Sequence, residues 1–132
     1  MNYIKKTTVA ILLFSAAFLK SYAQTPTDSI DNGLKQYMFV MYTKGSNRTQ
    51  DSTTTNRIQE QHLNHLDSLH ALGLLNVAGP FMEDGDWRGL LVLDVPTKEE
   101  AEALVKKDPA VIAGRLNYVI LPWMTQKGNC FR

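Results

Sequence analysis

Residues Gln36 to Thr43 (QYMFVMYT) run through aromatic, β-branched and methionine side chains and are followed by Gly45, a pattern that predicts a central strand buried on both faces. The polar run Gly45 to Thr55 predicts a loop. Asn56 reads as an N-cap with Gln59 three residues on. Beyond it, Ile58, Leu66, Leu69 and Leu72 share one face at about 100° per residue, which predicts an amphipathic helix ending at Gly73. Leu74 to Ala78 reads as a short strand closed by Gly79-Pro80, and Glu83-Asp84-Gly85-Asp86 as a tight turn. Trp87 to Val95 then completes a hairpin. Thr97 with Glu100 opens a second helix that runs toward Lys106-Lys107. Asp108-Pro109 stops it and caps a short further turn to Gly114, and Leu116 to Leu121 predicts the last strand, ahead of Pro122-Trp123.

The order β-α-β-β-α-β is the split βαβ arrangement of a ferredoxin-like α+β fold. Two helices cover one face of such a sheet. The strands place apolar residues on both sides, so the other face is expected to meet a second copy of the chain, sheet to sheet, in a homodimer.

The chain has 132 residues, 44% of them hydrophobic, enough for one domain with its own core. Its first 23 residues read differently. Lys5 and Lys6 form a basic start, Val9 to Leu19 an apolar stretch too short to span a membrane, and Ser21-Tyr22-Ala23 a cleavage site. The expected organisation is a signal peptide over 1–23, a flexible leader over 24–34, the domain over 35–125 and a tail over 126–132. The mature chain is then expected to be periplasmic or secreted, with no membrane association after cleavage. Cleavage removes Lys5, Lys6 and Lys20, which leaves eleven bases against thirteen acids. A mildly acidic body without clustered Lys and Arg argues against nucleic acid as a partner. The lone cysteine, Cys130, excludes an internal disulfide and reads as incidental on the tail.

His62 stands out chemically, because it falls on the apolar face of its helix and an imidazole suits acid–base work near neutrality. A core histidine bonded to a backbone carbonyl is the plainer alternative. His65, one turn on, could be its partner, a second ligand, or simply a face residue whose tip reaches solvent. His62, His65 and His70 do not complete a metal-ligand pattern, and H-L-N-H-L lacks the glutamate of a zinc-protease helix, so no metal is expected. Glu83, Asp84 and Asp86 read as a solvated turn. Asp108 reads as a helix cap, a place from which it can also orient a neighbouring imidazole. No nucleophile elbow, phosphate-binding loop or dinucleotide fingerprint is present, and no cofactor is expected.

Several segments together resemble the YCII-related (YciI-like) family: H62-L-N-H-L-x-x-L-x-x-L-G73, L74-L-N-V-A-G-P80, W87-R-G-L-L-V-L-D, T97-K-E-E-A101, D108-P-A-V-I-A-G114 and V119-I-L-P-W123. The likeness runs from Tyr37 to Trp123. It implies a dimeric α+β barrel of ferredoxin-like subunits, close to muconolactone-isomerase-type proteins. It also implies a histidine–aspartate pair in a cleft, with the histidine at His62 and the acid at Asp108, or less directly at Asp84 or Asp86. One branch of the family is a dehydrochlorinase acting on a chlorinated hydroxyquinol.

The resulting expectation is acid–base chemistry of a lyase or isomerase kind by His62 and Asp108 on a small enolisable or aromatic molecule. The binding pocket is expected to involve His65, Pro80, Met82 and Trp123. The alternative is a periplasmic homodimer that binds a small ligand without turnover, or in which His62 is structural.

Overall fold

The computed structural model describes residues 33–128. The expected signal peptide, nearly all of the leader and Cys130 lie outside the described residues. The chain runs β1 (Leu34–Lys44), α1 (Ser52–Ala71), β2 (Leu75–Pro80), β3 (Trp87–Leu93), α2 (Lys98–Val105), α3 (Pro109–Ile112) and β4 (Leu116–Gln126). The strands form one sheet in the order β2-β3-β1-β4, with every neighbouring pair antiparallel. This is the ferredoxin-like α+β architecture the element order predicts, with β1 in a central position.

Strand alternation sets the two faces of the sheet. Met38, Val40 and Tyr42 of β1 turn toward the helices and are buried. In register, Val40 lies opposite Leu91 and Ile120, and Met38 opposite Leu93, so these side chains share the covered face. Leu69 of α1 and Ala101 and Val105 of α2 close the core from above. Burying a side chain such as Leu91 or Leu93 contributes about 1.5–3 kcal/mol. Phe39, Met41, Leu90, Val92, Val119, Leu121 and Trp123 share the other face by register. There Val119, Leu121 and Trp123 remain 44–55% exposed.

Among the boundaries that differ from the sequence expectation, three have a clear local cause. α1 begins at Ser52, because Asp51 caps it: its side chain accepts from the Thr54 amide at 2.9 Å and from the Thr54 hydroxyl at 3.0 Å. The Thr-rich stretch expected as loop is therefore the first turn of the helix, and Asn56 lies inside it. β2 continues through Gly79 and Pro80, and β4 through Pro122 to Gln126. Both are edge strands, where a missing proline N–H can face away from the ladder. The other ends fall within two residues of expectation, with β1 starting earlier, at Leu34, and β3 stopping sooner, at Leu93. At the end of α1, Gly73 adopts a positive φ of 71°, and the amides of Gly73 and Leu74 bond back to the carbonyls of His70 and Leu69, a Schellman closure. Thr97 caps α2 by accepting from the Glu100 amide at 3.2 Å.

Candidate functional site

The site begins with a cap. Asp108 precedes α3, and its Oδ1 accepts from the Ala110 amide at 2.8 Å, while Pro109 occupies the first helical position, where no N–H is needed. The second oxygen, Oδ2, points under α1. On α1 the spacing Ile58, His62, Leu69 builds the buried stripe, so the helix that packs over the sheet carries an imidazole into its contact face. His62 Nδ1 lies 2.7 Å from Asp108 Oδ2. From the sheet below, the Tyr42 hydroxyl donates to the same oxygen at 2.7 Å, and the Tyr42 and His62 rings meet edge to face at 5.8 Å.

Asp108 is fully buried, and its surroundings decide its charge. Burial pushes the carboxyl up. Hydrogen bonds from His62 and Tyr42, the charge of His62 and the Ala110 amide outweigh burial and hold it below the ordinary carboxylate value. Tyr42 is displaced the other way: burial first, then the negative charge of Asp108 and the bond to it, push its phenol well above the usual range. Tyr42 is thus a permanent donor and Asp108 a permanent acceptor. An ionised Asp108 requires a proton on His62 Nδ1, which leaves Nε2 as the basic nitrogen.

His62 lines a cleft of about 550 Å³ between α1 and the β2–β3 side of the sheet. Leu66, Leu75, Ala78 and Leu91 give it apolar walls, and Arg48, Arg88 and Arg115 supply cations. Of the expected binding residues, Pro80 lines the same cleft. The other expected binding residues lie elsewhere. His65 is half-buried away from the cleft, and its Nε2 is buried without a hydrogen-bond partner among the described residues. Met82 is 93% exposed on the β2–β3 turn, beside a separate depression bounded by Phe81 and Trp87. Trp123 stands opposite Tyr37 on the uncovered sheet face and packs edge to face on Phe39 at 6.1 Å. The continuation of β4 past Pro122 causes this, since a strand turns successive residues to opposite faces. Asp84 and Asp86 stay on the turn, Asp84 3.7 Å from Arg88, so of the three candidate acids Asp108 is the one beside His62. His70 lines the cleft, with its Nδ1 3.0 Å from the Leu75 carbonyl.

Tyr42, Arg48, Arg88 and Arg115 are the site residues that sequence reasoning missed. For Tyr42 a signal existed: a tyrosine in an inward row otherwise made of Met and Val needs a partner for its hydroxyl.

The model of the YCII-related domain matches residues 36–124. The chain belongs to the YCII-related domain family. Both members of the His62–Asp108 pair and every strand of the sheet lie within or overlap the matched stretch. No curated protein matches the chain. Among solved structures, this YCII-related chain is similar to 5-chloro-2-hydroxyhydroquinone dehydrochlorinase (TftG) from Burkholderia phenoliruptrix AC1100, determined in complex with 2,5-dihydroxybenzoquinone. The TM-score is 0.50 and the identity 24%, over 65% of this chain and 92% of that one. At that identity the likeness speaks for the shared fold.

Proposed function

We propose that this YCII-related protein is an exported, homodimeric enzyme that moves a proton on a small enolisable or aromatic molecule, in a lyase or isomerase type of reaction. The observation that carries the reading is the 2.7 Å contact between His62 Nδ1 and Asp108 Oδ2, with His62 on the wall of a cleft large enough for one small molecule. In the mechanism, His62 Nε2 removes a proton from carbon beside a carbonyl or ring hydroxyl of the bound molecule. Asp108 stabilises the imidazolium that results, and Tyr42 keeps the carboxylate aimed. The same nitrogen then returns the proton to another atom of the substrate or to a leaving group. A name such as dehydrochlorinase, carried by a protein of this fold, describes an elimination that needs a base of this kind.

Deuterium uptake from D2O into hydroxylated aromatics and small carbonyl acids, followed by NMR, tests the reading across a whole class of candidate substrates at once. Exchange catalysed by the wild type and lost in a folded His62→Gln variant supports it. Equal exchange in both proteins leaves His62 a structural residue and favours a ligand-binding role.

Two further parts of the reading rest on other features. The apolar sheet face carrying Leu121 and Trp123 supports the homodimer. The basic start, the short apolar stretch and Ser21-Tyr22-Ala23 support export to the periplasm or medium, and N-terminal sequencing of the secreted protein should then begin at Gln24.

A further inference from the structure

We propose that the cleft takes an organic anion, whose carboxylate or phosphate is gripped by Arg48, Arg88 and Arg115 and whose apolar body lies along α1 toward His62. This deepens the reading of the cleft as a small-molecule site and rests on it.

Three separate segments bring the arginines together. β1 ends where β3 and β4 begin, so the loop after β1 (Arg48), the start of β3 (Arg88) and the residue before β4 (Arg115) converge at one end of the sheet. All three line the cleft. The backbone is tight here. A Cβ on Gly45 would overlap the Gly114 carbonyl, and the Gly45 amide bonds to the Arg115 carbonyl at 2.9 Å, so the two arginine-bearing loops are locked to each other.

Among the described residues, their charges are only weakly answered: one of the three has an acidic partner. Arg115 Nη1 donates to Gln50 Oε1 at 2.9 Å and to Thr55 Oγ1 at 3.2 Å, both neutral. That uses the hydrogens of Nη1 and leaves the Nε and Nη2 edge, the fork that matches two oxygens of a carboxylate or phosphate. Arg48 Nη1 donates to the Arg115 carbonyl at 3.0 Å. Among the described residues, neither Arg48 nor Arg115 makes an ion pair, and Arg88 has only Asp84, 3.7 Å away on an exposed turn. Lost hydration first, and then the nearby like charges of Arg115 and Arg88, hold the guanidinium of the exposed Arg48 below its ordinary value.

The acids of the cleft lie elsewhere. Asp67 is twelve residues past Thr55 on α1, roughly 18 Å along the helix axis. Asp108 sits behind His62, committed to His62, Tyr42 and Ala110. The cleft therefore has a cationic end, an apolar wall and an imidazole about two helical turns from Thr55. An anion anchored by arginine forks has its orientation fixed before any proton moves.

Calorimetric titration of the whole chain with benzoate, phenyl phosphate and benzamide tests the proposal. At least one of the two anions should bind roughly tenfold or more tightly than neutral benzamide, a preference that falls with added salt. Arg48→Gln and Arg88→Gln should each erase most of it. Benzoate ahead of phenyl phosphate identifies an organic acid, and the reverse order a phosphate ester. Equal binding of all three probes, no binding of any at millimolar concentration, or unchanged anion binding in the arginine variants would overturn it. The titration reads binding alone, so an absence of proton transfer in the exchange assay leaves its result intact and the two failures distinct.

Discussion

His62 Nδ1 meets Asp108 Oδ2 at 2.7 Å, while Oδ1 of the same carboxylate holds the first amide turn of α3 through Ala110. One buried side chain thus closes a helix and fixes an imidazole. The segment that makes it a good cap, a proline at the next position, also keeps it immobile behind His62.

Asp108→Asn is the sharpest test of that double use. The asparagine oxygen can keep the cap, but its amide then turns two N–H groups toward two donors, His62 Nδ1–H and the Tyr42 hydroxyl. The expected loss is about 3 kcal/mol or more, the cost of breaking a buried charge-assisted network. Urea unfolding measures it. Deuterium exchange should fall as well, because an amide N–H facing Nδ1 selects the other tautomer, with the proton on Nε2.

His62→Gln separates chemistry from stability. Glutamine can still donate to Asp108, so the unfolding free energy should change by no more than about 1–2 kcal/mol. Proton transfer should drop by a factor of about 10² to 10⁴, the usual contribution of a positioned acid–base group. A parallel fall in both would point to a structural histidine.

Tyr42→Phe should act through Asp108, with an effect that is full at neutral pH and shrinks in acid. The Asp108 carboxyl lies below its unfolded value of 3.8 in the folded chain, so its contribution is complete above that value and disappears as pH falls toward the depressed native one. Removing the tyrosine donor moves the native value upward and narrows the gap. The variant should therefore lose about 1.5–3 kcal/mol at neutral pH and show a weaker decline of stability on acidification than the wild type. Denaturant melts from pH 7 to about pH 3 compare the two curves.

The parts of this molecule that are legible in its sequence are those governed by local chemistry. Thr97 with Glu100, Asp108 with Pro109, and Gly73 each announce a helix end, and the apolar runs of β1, β3 and β4 announce the sheet. Where side chains compete with a distant partner, the local signal misleads. Ser52 to Thr55 reads as loop because hydroxyl side chains favour caps and turns. In the fold Asp51 caps the turn and Arg115, sixty positions away, bonds to Thr55. Pro122 reads as the end of β4, which would bring Trp123 into the pocket, whereas an edge strand tolerates the proline and carries Trp123 to the opposite face. His62 is marked by its place on an apolar helix face, but Tyr42 reaches Asp108 across 66 positions and the arginines meet through topology alone.

Gly45→Ala tests the locking of the arginine loops. The new methyl would press on the backbone carbonyl of Gly114, which cannot rotate away as a side chain could, so the strand end must shift. A destabilisation of about 1–3 kcal/mol is expected, together with weaker binding of benzoate or phenyl phosphate because Arg48 and Arg115 move apart. Thermal melts and the anion titration read the two effects separately.

The uncovered sheet face gives the last expectation. Val119, Leu121 and Trp123 lie on alternate positions of β4 and stand half exposed beside Phe39 and Met41, an apolar surface with no helix over it among the described residues. In the proposed homodimer Leu121 is buried against the partner sheet, where an unpaired ammonium is strongly disfavoured. Leu121→Lys should therefore leave the helix-facing core and the circular dichroism spectrum unchanged while shifting the sedimentation coefficient from dimer to monomer at micromolar concentration. The side chain points away from Met38, Val40 and Leu93, so the fold of one chain has no reason to fail with it. A wild type that sediments as a monomer over the same range would remove the homodimer from the proposed function and leave the cleft on the other face of the sheet unaffected.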